Sequence, residues 1–286
     1  MKDTIRYLLC GLAMGAADVV PGVSGGTIAF ITGIYPRLLQ AIEAFNLRFF
    51  SLALRLKLRE AFSLIPWGFL LPLLCGIATS IFSLARAVTY ALHTWPVVIW
   101  SFFFGLILAS VWLLGKELLL GKGSTWAALA AGAAAGWLIG GASAVDIGQS
   151  LPVYFASGFV AICAMILPGI SGAFVLVLLG QYSHVIRAVA EFDVSVIIVF
   201  SLGCACGIMT FARVLNRLLR LFPNAVTAVL TGLMAGSLRT VWPWRDGSMP
   251  VAPPALNAEL ALGAALCLAG VAIPVILTLV SRRKTG

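Results

Sequence analysis

Pro21-Gly22-Val23-Ser24-Gly25 and Pro168-Gly169-Ile170-Ser171-Gly172 are two copies of one stretch. Each is followed, seven residues on, by Gly-x-Tyr: Gly33-x-Tyr35 in the first copy and Gly180-x-Tyr182 in the second. Between residues 21–35 and 168–182, six of fifteen positions are identical at an offset of 147, and most others stay apolar. Each copy lies inside a long apolar run. Pro removes a backbone donor and Gly loosens the chain, so a helix built from either run must break there. Hydrocarbon offers no partner to the backbone groups that a break exposes. They must face protein or a wet cavity.

Around the two breaks the chain is apolar throughout. Its 286 residues are 61% hydrophobic and 10% charged, with a mean hydropathy of +1.06. An ordinary soluble domain carries far more charge, so the expected fold is an all-α polytopic membrane protein, one integrated transmembrane domain over residues 1–286. Spans are expected at about 64–84, 95–114, 125–142, 194–212, 224–238 and 258–280, with the broken stretches at 7–34 and 151–180. Residues 37–62 carry Arg37, Arg48, Arg55, Lys57 and Arg59 among Leu and Phe. The spacing of Arg48, Arg55 and Arg59 puts them on one helical face and predicts an amphipathic helix on the membrane surface. Lys2 and Arg6 before an apolar run imitate a leader peptide, but the run continues into the first motif and is read as part of the fold.

The net charge of +9 sits in loops and at helix ends, which suits an anionic membrane surface and not nucleic acid. If both broken stretches crossed the bilayer, Lys plus Arg would divide 9 inside and 10 outside. If both enter and return on one side, the division is 15 to 4, the bias the positive-inside rule requires. Each half is then one re-entrant helical hairpin plus three transmembrane helices: repeat 1 at about 1–142, repeat 2 at about 151–281, both termini cytoplasmic. Three is odd, so the repeat is inverted. Cys75-Gly76-Ile77-x-Thr79 also matches Cys206-Gly207-Ile208-x-Thr210 at an offset of 131, and at that offset Gly105 matches Gly236. Inverted repeats with interrupted helices are the architecture of alternating-access transporters.

The residues at the breaks suit an anion. Gly22, Gly25 and Gly26 let backbone approach a ligand, and Ser24 and Thr27 add hydroxyls that can also cap the next helix. The second copy offers Gly169, Ser171 and Gly172. Free N–H groups at a helix start favour phosphate. A single Pro-Gly-x-Ser-Gly is adequately read as a tight turn; two copies at inverted positions favour function. Asp18, three residues before Pro21, is an acid in apolar surroundings and the candidate for coupling or gating. Met165 stands in its place in the second copy, so any coupling is asymmetric. On the 15-to-4 topology the outer cations are Arg86, Arg187, Arg239 and Arg245, with Arg86 and Arg239 the candidate phosphate contacts. Glu43 and Glu191 follow the hairpins and are expected to pair with nearby arginines. Six dispersed cysteines and two distant histidines, His93 and His184, suggest neither a disulfide framework nor a metal site, and no cofactor is expected. No Gly-Lys-Ser/Thr follows either motif, so neither is a P-loop. No nucleophile or acid–base cluster argues for an enzyme such as a polyprenyl-diphosphate phosphatase.

The run Ala17-Asp18-Val19-Val20-Pro21-Gly22-Val23-Ser24-Gly25-Gly26-Thr27 resembles the signature of a bacterial membrane family, the undecaprenyl-phosphate (polyprenyl-phosphate) translocases, formerly a domain of unknown function. So does Leu167-Pro168-Gly169-Ile170-Ser171-Gly172 with Gly180-x-Tyr182. The likeness extends over nearly the whole chain, its length and its repeat. It implies a substrate that the residues alone do not name: undecaprenyl phosphate, the lipid carrier of peptidoglycan and other envelope polymers. It also implies a location in the bacterial cytoplasmic (inner) membrane and a task, the return of the monophosphate lipid from the outer to the cytoplasmic leaflet. Undecaprenyl phosphate and membrane lipids are then the partners. Ala173-Phe174 replaces Gly26-Thr27 in the second copy and leaves that tip with fewer polar groups. The competing reading is a transporter or channel for a small anion using the same helix-terminus chemistry.

Overall fold

The computed structural model describes residues 2–20, 23–118, 123–246, 249–253 and 258–282. The chain opens with α1 (Lys2–Asp18) and, past the first break, α2 (Gly25–Ile31) and α3 (Tyr35–Glu43). Two short helices, α4 (Leu47–Leu54) and α5 (Leu58–Ser63), lead into α6 (Trp67–Thr94), α7 (Pro96–Leu118) and α8 (Gly123–Gly140). The order then recurs without the short helices. After α9 (Leu151–Ile166) comes the second break, then α10 (Gly172–Leu178), α11 (Tyr182–Ala190), α12 (Val194–Leu221), α13 (Pro223–Ser237) and α14 (Ala258–Arg282). Between α13 and α14, β1 (Arg245–Asp246) pairs antiparallel with β2 (Met249–Pro250).

Among the described residues, four segments are long and apolar enough to cross a membrane: Trp67–Leu84, Pro96–Lys116, Val194–Leu221 and Glu259–Ile276. The helices expected near 125–142 and 224–238 are also present, as α8 and α13. The 15 residues of α13 cover about 22 Å, less than the roughly 30 Å hydrocarbon thickness.

Both broken stretches turn the chain back toward its start. Arg6 Nη2 donates to Thr32 O at 3.0 Å, and the Arg37 guanidinium lies 4.9 Å from the Tyr7 ring centroid. The end of α2 and the start of α3 therefore lie beside the start of α1. In the second half, Tyr154 of α9, Ala188 of α11 and Val196 of α12 form one small apolar cluster. α10 and α11 meet at 107°. Gly33 (φ +72°) and Gly180 (φ +67°) make the corresponding turns in the left-handed region, the reason glycine recurs before each Tyr.

Four close helix pairs frame the hairpins: α1 with α6, α9 with α12, α7 with α14, and α8 with α13. Each pair packs backbone on backbone. A Cβ at Gly11 would collide with Leu73 O and one at Gly76 with Leu8 O; Gly158 and Gly203 stand likewise against Phe200 O and Phe155 O. Gly105 abuts Cys267 O and Gly270 abuts Phe102 O; Gly132 abuts Val229 O and Gly232 abuts Leu129 O. Lipid provides no hydrophobic drive between helices, so such close approach is what holds them. Large side chains point the other way, with Phe82 87% and Leu138 70% exposed, the pattern of a lipid-facing surface.

The basic linker differs from the expected single amphipathic helix. Asn46 caps a new helix, α4, by accepting from Arg48 N and Phe49 N at 2.9 and 3.1 Å. The chain breaks again at Leu56, whose φ of +58° is left-handed. Arg48 lies in α4, Arg55 ends it and Arg59 lies in α5, so the three share no continuous face.

The glycine contacts yield a test. Gly105→Val should destabilise the folded protein by about 1–3 kcal/mol, the usual cost of overpacking, and lower its melting temperature in detergent. Gly115→Ala, with open space around it, should leave melting unchanged. Equal melting of the two variants would contradict the backbone-contact account.

Candidate functional site

The two breaks meet each other inside the bundle. α9 ends at Ile166, which leaves its last carbonyls without helical partners. The first hairpin supplies partners. Ser24 Oγ donates to Met165 O at 3.0 Å, and Tyr35 Oη donates to Ile166 O at 3.1 Å. In the other direction, Gly169 N–H donates to Thr27 Oγ1 at 2.8 Å. All three bonds set a side chain of the first hairpin against backbone of the second, and Ser24, Thr27 and Tyr35 are fully buried. Gly26 lies in the seam, where a Cβ would stand 2.6 Å from Ile166 O.

Within the first tip, Ser24 caps α2 by accepting from Gly26 N at 3.1 Å. Asp18 Oδ1 accepts from Gly25 N at 2.6 Å. The donors expected to be free for an anion are thus engaged in this conformation, one of them by a carboxylate. In the second tip Ser171 caps α10 through Phe174 N at 3.5 Å. Gly172 sits against α9, where a Cβ would be 2.7 Å from Ala161 O. Gly169 has φ +86°, and a Cβ there would lie 2.9 Å from Met234 Cα, so only glycine lets α13 seat the tip.

Beside the seam runs a narrow cleft between Gly136 and Gly140 of α8, Gly169 and Ser171 of the second tip, and Ser237 and Thr240 at the end of α13. Ser171, Ser237 and Thr240 line it together with Ile139, Ile170 and Phe174; Ser237 Oγ donates to Met234 O at 2.8 Å and Thr240 Oγ1 to Ser237 O at 2.7 Å. Arg239 is the neighbour of Thr240. Its guanidinium lies 4.8 Å from the Trp137 ring centroid and against Gly141, and its Nε is buried without a hydrogen-bond partner.

The sequence-derived candidates Asp18, Ser24, Gly25, Gly26, Thr27, Gly169, Ser171 and Gly172 are therefore gathered around one seam. Gly22 lies outside the described residues. Arg86 belongs to α6, and its side chain is also outside the described portion. Glu43 pairs with Arg220 at 3.3 Å and accepts from Asn216 Nδ2, whereas Glu191 forms no ion pair among the described residues. Sequence reasoning missed three contributors. For Tyr35 the signal was its recurrence as Tyr182 in the second copy. Ser237 and Thr240 carried one weak cue, their closeness to the repeat-matched Gly236.

Comparison with known proteins adds the family. Residues 14–253 match the model of the family described as undecaprenyl phosphate translocase-like. The chain belongs to this family. The match runs from within α1 to just past β2 and so contains both breaks, the cleft and Arg239. The chain is 45% identical over 246 residues to the polyprenyl-phosphate transporter of Vibrio cholerae serotype O1, covering 85% of this chain and 80% of that protein. It is 29% identical over 255 residues to the polyprenyl-phosphate transporter of Staphylococcus aureus, covering 82% of this chain and 85% of that one. No solved structure matches the chain. The family and both relatives carry the names of transporters, not of enzymes.

Thr27→Val keeps the shape of this translocase-like seam but strips the acceptor from a buried N–H. It should lower stability by about 1–3 kcal/mol, and Thr27→Ser should restore most of the loss. Thermal unfolding in detergent reads both. A Val variant as stable as the parent would mean that the Gly169 contact is not formed.

Proposed function

We propose that the protein is an undecaprenyl-phosphate translocase, returning the monophosphate lipid from the outer to the cytoplasmic leaflet of the bacterial inner membrane by alternating access. The observation that carries this reading is the seam: two interrupted helices whose polar tips meet inside an apolar bundle, beside a narrow cleft that Ser171, Ser237 and Thr240 help to line. A phosphate cannot cross hydrocarbon unaided, but its prenyl tail can stay in lipid. The carrier needs to shelter only the headgroup.

The architecture we infer is a single domain of two inverted repeats, about 1–142 and 151–281, each a re-entrant helical hairpin followed by three transmembrane helices. Matching contacts support it. Gly11 and Leu8 in the α1–α6 pair correspond, at the offset of 147, to Gly158 and Phe155 in the α9–α12 pair. Gly105 against Cys267 O is answered by Gly236 against Ala133 O, and Gly270 against Phe102 O by Gly136 against Leu233 O. Each repeat thus lends its third long helix to the second long helix of the other. The return of both hairpins toward their own starts supports re-entrance. The 15-to-4 charge division supports cytoplasmic termini.

In this mechanism the seam bonds exchange for bonds to the headgroup. When the tips part, Gly169 N–H and the hydroxyls of Ser24, Thr27 and Ser171 turn to phosphate oxygens, with Gly22, Gly25, Gly26 and Gly172 allowing close approach. Arg239 and Arg86 supply positive charge. Asp18, held on Gly25 N, competes with the phosphate for the first tip. Its protonation or ion binding would release that donor, which makes it the coupling or gating residue.

The test is the surface exposure of undecaprenyl phosphate on cells lacking this protein and any redundant carrier, read with a phosphate-binding antibiotic that cannot enter the cell. Loss of the carriers should raise exposure and the wild-type protein should restore it. Asp18→Asn and Arg239→Gln at equal expression should restore it roughly tenfold less well, as expected for loss of one charge-assisted contact. Exposure that is indifferent to the protein would sink this reading in favour of small-anion transport, read next as anion flux in liposomes.

A further inference from the structure

On the transport reading above, we infer that Arg239 and Arg245, each resting on a tryptophan, form a binding site for a phosphomonoester at the end of the bundle where α13 finishes. Arg245 Nη1 donates to Thr240 O at 2.8 Å, and its guanidinium lies 4.3 Å from the Trp100 ring centroid. Arg239, next to Thr240, lies on Trp137. Thr240 thus follows Arg239 in the chain and takes Arg245 on its backbone carbonyl, and it also lines the cleft that Ser171 borders.

Both guanidiniums are partly buried and want an anion. The ion pairs among the described residues are Lys57–Glu60 and Arg220–Glu43, and neither involves them. Burial pulls the Arg245 pKa below its ordinary value, the sign of a desolvated cation without compensation. A guanidinium offers five N–H donors, and the single bond to Thr240 O uses one. Unpartnered buried atoms also gather here. Of the seven such side-chain atoms among the described residues, Arg239 Nε, Trp244 Nε1 and Ser101 Oγ lie in or against the segment 239–245. Ser101 adjoins Trp100, and a Cβ at Gly263 would stand 3.0 Å from Ser101 Oγ and 3.6 Å from Trp244 Cζ2. Buried donors are rarely left unpaired in a native fold, so such a concentration points to an acceptor that belongs there.

The chemistry selects a monoester. A guanidinium over an indole keeps its in-plane N–H edge open, which matches two phosphate oxygens. Two guanidiniums together suit the nearly doubly charged monoester better than the singly charged diester of bulk phospholipids. The site is also one-sided. At the repeat offset of 131, Ser237, Arg239 and Thr240 align with Leu106, Leu108 and Ala109. On the proposed topology this end is the outer one, so the site takes the headgroup from the outer leaflet before it reaches the seam.

The test is binding by the purified full chain in neutral detergent. Three probes are titrated against intrinsic tryptophan emission: a short polyprenyl monophosphate, the same polyprenol without phosphate, and inorganic phosphate. The wild type should bind the monophosphate and not the polyprenol. R245Q and R239Q should each weaken binding at least tenfold, R245K by less, and R187Q not at all. Should R245Q fail to fold, Trp100→Phe, which loosens the guanidinium, carries the same expectation. Wild-type binding with R245Q and R239Q unchanged overturns the site and removes Arg239 from the headgroup's contacts, while transport itself is judged separately by the exposure assay. Inorganic phosphate bound as tightly as the lipid, with the same arginine dependence, keeps the site but removes the lipid as its source. A wild type that binds neither phosphate probe overturns the site, while transport is judged separately by the exposure assay.

Discussion

A peptide group without a hydrogen-bond partner is intolerable in hydrocarbon, and this chain breaks two helices where hydrocarbon would surround them. Its answer is to let the breaks satisfy each other. The loose carbonyls at the end of α9 accept from Ser24 and Tyr35, and the loose N–H of Gly169 finds Thr27. Everything else follows from bringing the tips within reach. The hairpins must be held at fixed depth, which α1–α6 and α9–α12 do through glycine contacts too close for any side chain. The second tip must also be seated, which α13 does at Leu233 and Met234.

The division of labour across the seam explains an irregularity in the repeat. Where the first copy has Gly26-Thr27, the second has Ala173-Phe174. If both tips gave side chains and both gave backbone, the two would need the same residues. Here the first gives side chains and the second gives backbone. The second motif therefore keeps the glycines that shape its backbone and drops the hydroxyl after the second Gly. Asp18 fits the same pattern. It satisfies Gly25 N within the first tip, a task for which its counterpart Met165 offers only a carbonyl, already taken by Ser24.

Features that depend on local chemistry were legible in the sequence. Pro-Gly-x-Ser-Gly announces a break wherever it falls, and its repetition gave both. The glycines matched at the offset of 131, Gly76 with Gly207 and Gly105 with Gly236, proved to be helix-contact positions. What was illegible depends on distance or on an unmarked backbone choice. The linker break rests on Leu56 in the left-handed region, which leucine does nothing to advertise. Tyr35 acts on Ile166 O, 131 residues away, and Arg245 stacks on Trp100. No periodicity reports either contact. The sequence marked Asp18 as an acid in apolar surroundings but did not show its bond to Gly25 N; on the proposed mechanism the two descriptions agree if the carboxylate stands where the substrate's anion would go.

That last point bears on how a closed seam can belong to a carrier. Three neutral hydrogen bonds, each worth a net 0.5–1.5 kcal/mol or about that, hold the tips together by only a few kcal/mol. Hydrogen bonds to a charged group run at about 1.5–3 kcal/mol each, so a phosphate that replaces the three gains more than the tips lose. On the proposed mechanism the seam is then strong enough to stay shut when no headgroup is present, which would keep water and ions from leaking through the break. It is also weak enough for the anion to open. A tighter seam, built on an ion pair, would trap the tips or hold the phosphate too firmly to release it. On the proposed mechanism neutral hydroxyls against backbone meet both requirements, and the charges that it invokes, Arg239 and Asp18, stand beside the tip-to-tip bonds and not in them.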